Sequence, residues 1–473
     1  MSKYITTIGL EVHCELKTQT KLFCSCENSF GKEPNTLCCP VCCGFPGTMP
    51  VLNEQAVLLT VKAGLALGCK INEFSKWDRK NFFYPDLPKA WQTSQFDLPL
   101  CYDGELVYTI NGVEKKVRIE RIHLEEDAGK LVHGSEKTCI DYNRCGVPLI
   151  EIVTKPDLHT PEETVAFLQE LKSVLKSAGV SDVKMQEGSM RCDVNLSVAK
   201  EGESLGVRTE SKNLNSFHSV LDACKYEEER QIQLLESGQK VRRETRRWSE
   251  SENKGYAMRE KENASDYRYF AEPDLLPVVI TPEQISKIAS TLPPTKKERI
   301  TAYKQKFGLS EEVSYRLTAD QDLADLFDET VLLYLDAKRL ANFILSDITR
   351  LAKEQGKEEL SIKIKPWQIA EALALVSSGK VNITAVQQRI LPLVWDSENS
   401  PNLVAKERDL IQSLSKEDVE SIVKTVIAKN PNAHADYKQG KKGAFTFFVG
   451  QVMKESKGKA NPSVVNDLLN ELL

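Results

Sequence analysis

Ile8-Gly9-Leu10-Glu11-Val12-His13-Cys14-Glu15-Leu16 alternates its apolar and polar positions over nine residues. That is the period of a β-strand, whose successive side chains point to opposite faces. The pattern turns Ile8, Leu10, Val12, Cys14 and Leu16 toward a core. Glu11, His13 and Glu15 then project together from the other face, into water or a cleft. Two carboxylates and an imidazole on one face are a donor set for a metal ion, although on a lone strand a solvated face is the commoner outcome.

Three further stretches weigh against the solvated reading. In Lys116 to Glu126, Ile122 and Leu124 alternate with His123 and Glu125, and the strand runs into Glu125-Glu126-Asp127. Pro148 to Val153 sets one carboxylate, Glu151, inside an apolar run. A buried ionised carboxylate is costly unless it is paired or metal-bound, so Glu151 needs a partner. From Met190 to Val198 apolar residues alternate with Arg191, Asp193, Asn195 and Ser197. After the turn-like segment Glu201 to Gly206, Arg208, Glu210 and Lys212 share a face, as in a hairpin lining a cleft. Oxygen donors suit Mg²⁺, which keeps much of its water and bridges phosphates. Arg and Lys on the same faces suit phosphoryl transfer, where catalysis is mostly positioning and electrostatics. No Gly-x4-Gly-Lys-Ser/Thr occurs, so an ATP site here is not a P-loop.

Cys24-x-Cys26 followed by Cys39-Pro-Val-Cys42 has the two-knuckle spacing of a tetrahedral Zn²⁺ site. Four thiolates leave no position for water, so this zinc is expected to be structural. Cys38 and Cys43 flank the second knuckle and leave the ligand choice open by one residue. Cys14, Cys69, Cys101, Cys139, Cys145, Cys192 and Cys224 read as core residues.

The chain has 473 residues, enough for about three domains. With 63 basic and 68 acidic residues its net charge is −5, so contact with nucleic acid must be a local patch and not a global field. No apolar run approaches the roughly 20 residues that span a bilayer, and no signal region precedes the first strand. The expectation is a soluble cytoplasmic protein with no membrane partner.

Residues 1–292 are strand-rich, with one marked helix: Thr160 at the N-cap, Pro161 in the first turn, Glu163 completing a capping box, Leu168, Leu171 and Leu175 as its apolar stripe and Gly179 as its stop. Residues 293–400 are helical and charged, broken by Gly308, Gly356 and Gly379, with a linker-like Asp396 to Pro401. Residues 401–473 are helical again and carry Lys438, Lys441, Lys442, Lys454, Lys457 and Lys459 near Tyr437, a pattern that fits contact with an RNA backbone. Lys240, Arg242, Arg243, Arg246, Arg247 and Trp248 form a second basic run, whose spacing also permits an ordinary charged helix face. The fold class expected is α+β: an antiparallel-sheet catalytic cradle, an all-α domain and a small helical tail.

These motifs together resemble the B subunits of the tRNA-dependent amidotransferases. The resemblance rests on IGLEVH at Ile8 to His13, NTLCCPVCCGFPG at Asn35 to Gly47, RKNFFYPDLPKAWQTSQ at Arg79 to Gln95, HLEEDAGK at His123 to Lys130 and DYNRCGVPLIEI at Asp141 to Ile152. MRCDVN at Met190 to Asn195, RTESKNLNSF at Arg208 to Phe217, DYRYFAEPDLLP at Asp266 to Pro277 and VGQVMKESKGKANPSVVNDLL at Val449 to Leu469 extend it nearly end to end. AWQTSQ at Ala90 to Gln95 departs from the usual GYQISQ.

The resemblance implies a cradle, a helical domain and a YqeY-type tail that contacts tRNA. It implies ATP-dependent phosphorylation of the side-chain carboxylate of Glu-tRNA(Gln) or Asp-tRNA(Asn), followed by amidation with ammonia. Carried over by residue, Glu11, His13, Glu125 and Glu151 are the Mg²⁺ site, with Asp193 and Glu210 beside it. Lys89, Lys130, Arg191 and Lys212 are the candidate phosphate contacts, and the zinc suggested by the spacing of Cys24, Cys26, Cys39 and Cys42 is expected to support structure without being required by the reaction. The implied partners are a glutaminase A subunit and a small C subunit in a heterotrimer. The alternative is a non-catalytic tRNA-binding scaffold.

Overall fold

The computed structural model describes residues 4–473 apart from 135, 261–263, 355–361, 412–413, 415, 439–440, 442 and 457. Gly356, Lys442 and Lys457, singled out above, therefore lie outside the described residues. The chain divides into two compact units, residues 1–293 and 294–473.

The first unit is organised by a nine-stranded sheet. Its strands in chain order are β1 (Tyr4–Glu15), β2 (Lys70–Ile71), β3 (Cys101–Ile110), β4 (Val113–Glu126), β5 (Pro148–Thr154), β6 (Met190–Lys200), β7 (Thr209–Leu214), β8 (Glu244–Ser249) and β9 (Lys254–Glu260). They lie in the order β9-β8-β7-β6-β1-β5-β4-β3-β2. Adjacent strands run antiparallel except β7 and β8, which are parallel. A parallel pair needs a crossover, and the helix Phe217–Glu236 between β7 and β8 in the chain supplies it. The sheet expected to be antiparallel is thus mixed at one edge.

β1 holds the middle of this sheet, and its alternation is realised residue by residue. Ile8, Leu10, Val12, Cys14 and Leu16 are at most 2% exposed. They pack in one core with Phe167, Leu168, Leu171 and Leu175 of the helix Pro161–Ser177 and with Val57, Leu59 and Val61 of the helix Glu54–Ala66. Burying each such leucine is worth about 2 kcal/mol, which fixes the register of β1 because a one-residue slip would turn this face to solvent.

Local chemistry sets the boundaries. Thr160 Oγ1 accepts from the Glu163 amide at 3.1 Å, and Gly179 ends the helix with φ +66°. The Glu163 carboxylate accepts from the His159 amide at 2.9 Å, so the capping box reaches back one residue further than the sequence suggested. Gly206 passes so close to β6 that a Cβ there would lie 2.1 Å from the Val198 carbonyl oxygen, an approach only glycine allows.

The basic run after Gly238 is not helical. Thr245, Arg246 and Trp248 of β8 are buried while Arg247 is exposed. Arg246 donates to the Gly255 carbonyl at 2.7 Å and sits 3.3 Å from Glu227, and Trp248 packs edge-on to Tyr226. These two residues hold the sheet edge together; Lys240, Arg242, Arg243 and Arg247 remain exposed. Cys139, expected in the core, is exposed.

The second unit is helical and holds two hydrophobic clusters. One gathers residues from Tyr303 to Ala405 and the other residues from Val419 to Leu469. The helix Pro401–Glu407 contributes Val404 and Ala405 to the first cluster, so the linker-like Asp396 to Ser400 is followed by one more helix of that core. Lys438 and Lys454 are exposed, Lys441 pairs with Asp436 at 2.8 Å and Lys459 with Asp409 at 2.6 Å. Among the described residues no helix is long and apolar enough to cross a membrane.

Candidate functional site

The sheet face opposite the helices carries the acidic residues, because register brings the polar positions of neighbouring strands side by side. Glu11 stands opposite Asp193, His13 is flanked by Glu151 and Arg191, Glu151 is opposite His123, and Asn195 is opposite Glu210. The result is two adjoining donor sets, separated along β1 by two residues, or about 7 Å.

The first set is His13, Glu125 and Glu151, whose ligand atoms all lie within 4.8 Å of one another. His13 Nε2 is 3.4 Å from Glu151 and 3.8 Å from Glu125. His123 Nε2 is 3.3 Å from Glu151 and 3.5 Å from Glu125. Ser94 Oγ donates to Glu125 Oε2 at 3.0 Å. Glu151 thus has the partners its burial demands. Burial alone would push its carboxyl up, but the charges and hydrogen bonds of His123 and His13 hold it well below the usual carboxylate range. Burial likewise opposes the charge on His123, yet Glu151 and Glu125 outweigh it and carry the imidazole up to about 9. His123 Nδ1 is buried with no hydrogen-bond partner among the described residues, and such an atom marks a place where a further group belongs.

The second set is Glu11, Asp193 and Glu210, again within 4.8 Å. Asn195 Nδ2 donates to Glu11 at 3.0 Å and Thr245 Oγ1 to Glu210 at 2.7 Å. The Lys212 ammonium pairs with Asp193 and lies 3.6 Å from Glu210. Burial works against its charge, but Asp193 and Glu210 raise its pKa. Beside both sets, Arg191 pairs with Asp127, and Arg144 Nε is 3.6 Å from the same carboxylate. Glu15 faces this group; burial and the Asp127 charge lift its carboxyl to about 8.

The sequence-predicted cations divide. Arg191 and Lys212 lie among the carboxylates. Lys89 instead pairs with Glu126, within 5.7 Å of the Phe23 ring and 5.4 Å of Trp91. It lines a separate cavity of about 220 Å³ with Phe45, Arg79 and Glu272. Lys130 is exposed on the hairpin of Lys130–His133 and Thr138–Asp141. Two residues at the site were missed as ligands or contacts. His123 was readable, two positions before Glu125 on the same strand face. Lys80, whose charge is upheld against burial by Glu125, Tyr269 and Glu151, comes from a short strand with no period to expose it.

Cys24, Cys26, Cys39 and Cys42 bring their Sγ atoms within 4.8 Å of one another, and Cys38 and Cys43 are not in this set. Cys39 and Cys42 Sγ are 3.9 Å apart. Tetrahedral thiolates at a Zn–S distance of about 2.3 Å stand about 3.8 Å from one another, so the cluster fits zinc as it stands. The buried Lys21 Nζ lies 3.7 Å from Cys42 Sγ. A hydrogen bond from Cys24, opposed by burial but joined by the Cys39 amide and Lys21, lowers the Cys42 thiol to about 4, toward the thiolate a metal needs.

Fold and site together define a mixed-sheet domain with two adjoining acidic centres and a four-cysteine cluster, joined in the chain to a helical unit. The sequence profile of the GatB/GatE catalytic domain matches residues 6–286, and that of the GatB domain residues 325–473. The chain belongs to the GatB/GatE family. It is 49% identical over 480 residues to the B subunit of the aspartyl/glutamyl-tRNA(Asn/Gln) amidotransferase of Caldicellulosiruptor saccharolyticus, covering 100% of this chain and 99% of that one. The protein of the same name from Thermoanaerobacter pseudethanolicus is 46% identical over 473 residues, at 100% and 99% coverage. That from Clostridium tetani is 45% identical over 468 residues, at 98% of each chain.

Proposed function

We propose that this chain is the subunit of a tRNA-dependent amidotransferase that activates the side-chain carboxylate of Glu-tRNA(Gln) or Asp-tRNA(Asn) with ATP and passes it to ammonia. One observation carries the reading: five strands deliver Glu11, His13, Glu125, Glu151, Asp193 and Glu210 to two adjoining donor sets with Arg191 and Lys212 beside them.

A carboxylate is a poor acyl donor because its leaving group would be oxide. In the proposed reaction a carboxylate oxygen bonds to the γ-phosphorus of ATP as the bond to ADP breaks. Ammonia then adds at the carbonyl carbon, the bond to phosphate breaks, and the nitrogen loses a proton as the amide forms. Mg²⁺, when bound, supplies charge neutralisation across the phosphate oxygens. Glu125, Glu151 and His13 would hold it, with Glu11, Asp193 and Glu210 as a second site; their clustered oxygen donors suit a hard cation. Lys212 and Arg191 orient phosphate oxygens and offset the charge developing on them. Lys89, paired with Glu126, and the exposed Lys130 stand outside the two donor sets.

The cysteine cluster pins the loop after β1 and takes no part in the chemistry. The exposed lysines of residues 401–473 contact the tRNA backbone. Ammonia comes from an amidase A subunit, with a small C subunit completing the complex. The test is ADP formation by the reconstituted complex from ATP and Mg²⁺ without an ammonia donor, comparing Glu-tRNA(Gln), uncharged tRNA and no tRNA. ADP appearing only with the charged tRNA supports the reading; tRNA binding without ADP in any arm overturns it.

A further inference from the structure

Lys21 is wholly buried, whereas ammonium groups as a rule keep contact with water. It follows β1 in the chain. Its amide donates to the Cys26 carbonyl at 3.0 Å, and the Leu22 amide donates to the Gly146 carbonyl at 2.9 Å. These backbone bonds set Lys21 in the turn that carries Cys24 and Cys26, against the segment that runs into β5. Its Nζ reaches Cys42 Sγ at 3.7 Å and the Tyr142 carbonyl at 3.4 Å. Among the described residues no carboxylate pairs with it. Glu126 also comes near Gly146, but it is paired with Lys89.

A buried cation without a counter-charge is strongly unfavourable, and an apolar side chain of the same size would serve the fold better. The cysteine cluster supplies the missing charge. One Zn²⁺ held by four thiolates leaves two negative charges in excess. Cys42, the ligand that Lys21 touches, is itself buried, so water cannot offset that excess at this sulfur. The Cys39 amide also donates to Cys42 Sγ, at 3.1 Å, so two donors converge on one sulfur.

We propose that Lys21 is the counter-ion of the zinc–thiolate cluster, donating to Cys42 Sγ and tying the metal site to the Tyr142 carbonyl on the segment that leads into β5. The inference rests on the zinc reading of the four cysteines and is independent of the reaction proposed above. A donor to a metal-bound ligand draws charge off it and fixes its orientation, and loss of such a partner weakens metal binding about 10- to 100-fold. Lys21 is thus a positioning residue that acts through Cys42.

The experiment uses the full chain and Lys21→Met, which keeps the length and apolar stem of the side chain but removes its charge and its donors. Zinc affinity, read by competition with a chromogenic chelator, should fall about 10- to 100-fold. Both chains are also loaded with Co²⁺, whose thiolate-to-metal charge-transfer band reports the electron density on sulfur. That band should move to longer wavelength in Lys21→Met, because the sulfur gives up an electron more easily without the ammonium beside it. The thermal midpoint should fall in the zinc-loaded variant. It should rise in the zinc-free variant, where no metal fixes the thiolate charge and the substitution removes an unpaired buried cation. A packing role alone would move both midpoints the same way. Unchanged zinc affinity, or a charge-transfer band that stays in place, overturns the counter-ion. A midpoint lowered both with and without zinc, or a variant that does not fold, makes Lys21 a packing residue and overturns it too. A wild type that binds neither Zn²⁺ nor Co²⁺ through thiolates defeats the zinc reading and the counter-ion with it. A wild type that binds both, with no effect of Lys21→Met, defeats the counter-ion alone.

Discussion

His13 Nε2 lies 3.4 Å from Glu151 Oε2, across paired positions of the neighbouring strands β1 and β5. Far apart in the chain, the two groups meet only because both strands turn their apolar faces to the same core. The carboxylate that looked misplaced in an apolar run is thereby given its counter-charge.

Glu151→Gln keeps the shape of that side chain but removes the charge facing His13 and His123. ADP formation in the presence of charged tRNA should fall at least about 100-fold, the scale of losing one preorganised electrostatic contact. Binding of tRNA, measured by filter retention, should stay near wild type. Normal ADP formation in this variant would defeat the assignment of the first acidic set.

Zinc should be present at about one ion per chain in freshly purified protein, as four closed thiolates hold one ion. Cys39→Ser should lower both zinc content, read by elemental analysis, and the thermal midpoint. A full complement of metal in that variant would point to Cys38 or Cys43 as a ligand instead.

Glu227 tests an acid-sensitive contact away from the site. Its carboxylate accepts from Thr209 at 2.7 Å, Gln231 at 2.8 Å and twice from Arg230, at 2.7 and 2.8 Å. Burial raises its pKa, but Arg230, Gln231 and Thr209 together bring it below the ordinary value. A depressed folded pKa means the contribution to stability is complete above the unfolded pKa and disappears as pH falls through the folded value. Glu227→Gln should therefore cost about 2 kcal/mol at pH 7 by denaturant unfolding. The gap from wild type should close as the pH drops below about 4; a gap constant with pH would show that packing, not charge, is responsible.

Leu171→Ala removes a fully buried side chain between the helix Pro161–Ser177 and the sheet. A loss of about 3 kcal/mol is expected from transfer and cavity terms together. Urea unfolding followed by tryptophan fluorescence measures it, and a loss under about 1 kcal/mol would mean the site collapses around the gap.

Truncation separates the tail from the core before it. A chain ending at Ile411 keeps Val404 and Ala405 in the helical core, with Leu410 and Ile411 packed on it; a chain ending at Ser400 loses all four. Both should show a raised KM for charged tRNA, with a shallower dependence on salt than the full chain. Only the shorter one should also show a lowered thermal midpoint. Equal midpoints would place the end of that core before residue 401.

Sequence alternation disclosed most of the sheet, because a strand half-buried on helices must repeat every second residue, and the same parity put Glu11, His13, Asp193 and Glu210 on one face. The cysteine knuckles were legible for a related reason: tight metal ligation requires short local spacing. What alternation could not show was which strands are neighbours. The basic run at Arg246 illustrates the limit, since its charges fit a helix face until pairing with β7 and β9 made it a strand.

The sequence by itself determined the strand faces, the helix Pro161–Ser177, the cysteine spacing and the change to helical texture after Pro293, all set by contacts within a few residues along the chain. Tertiary structure alone decided that His123 joins His13 at Glu151, that Lys89 answers to Glu126, and that Lys80 comes within the field of Glu125 and Glu151. Those pairings join residues tens of positions apart, and only the order of strands in the sheet and the packing of the short strands beside it bring them within reach of one another.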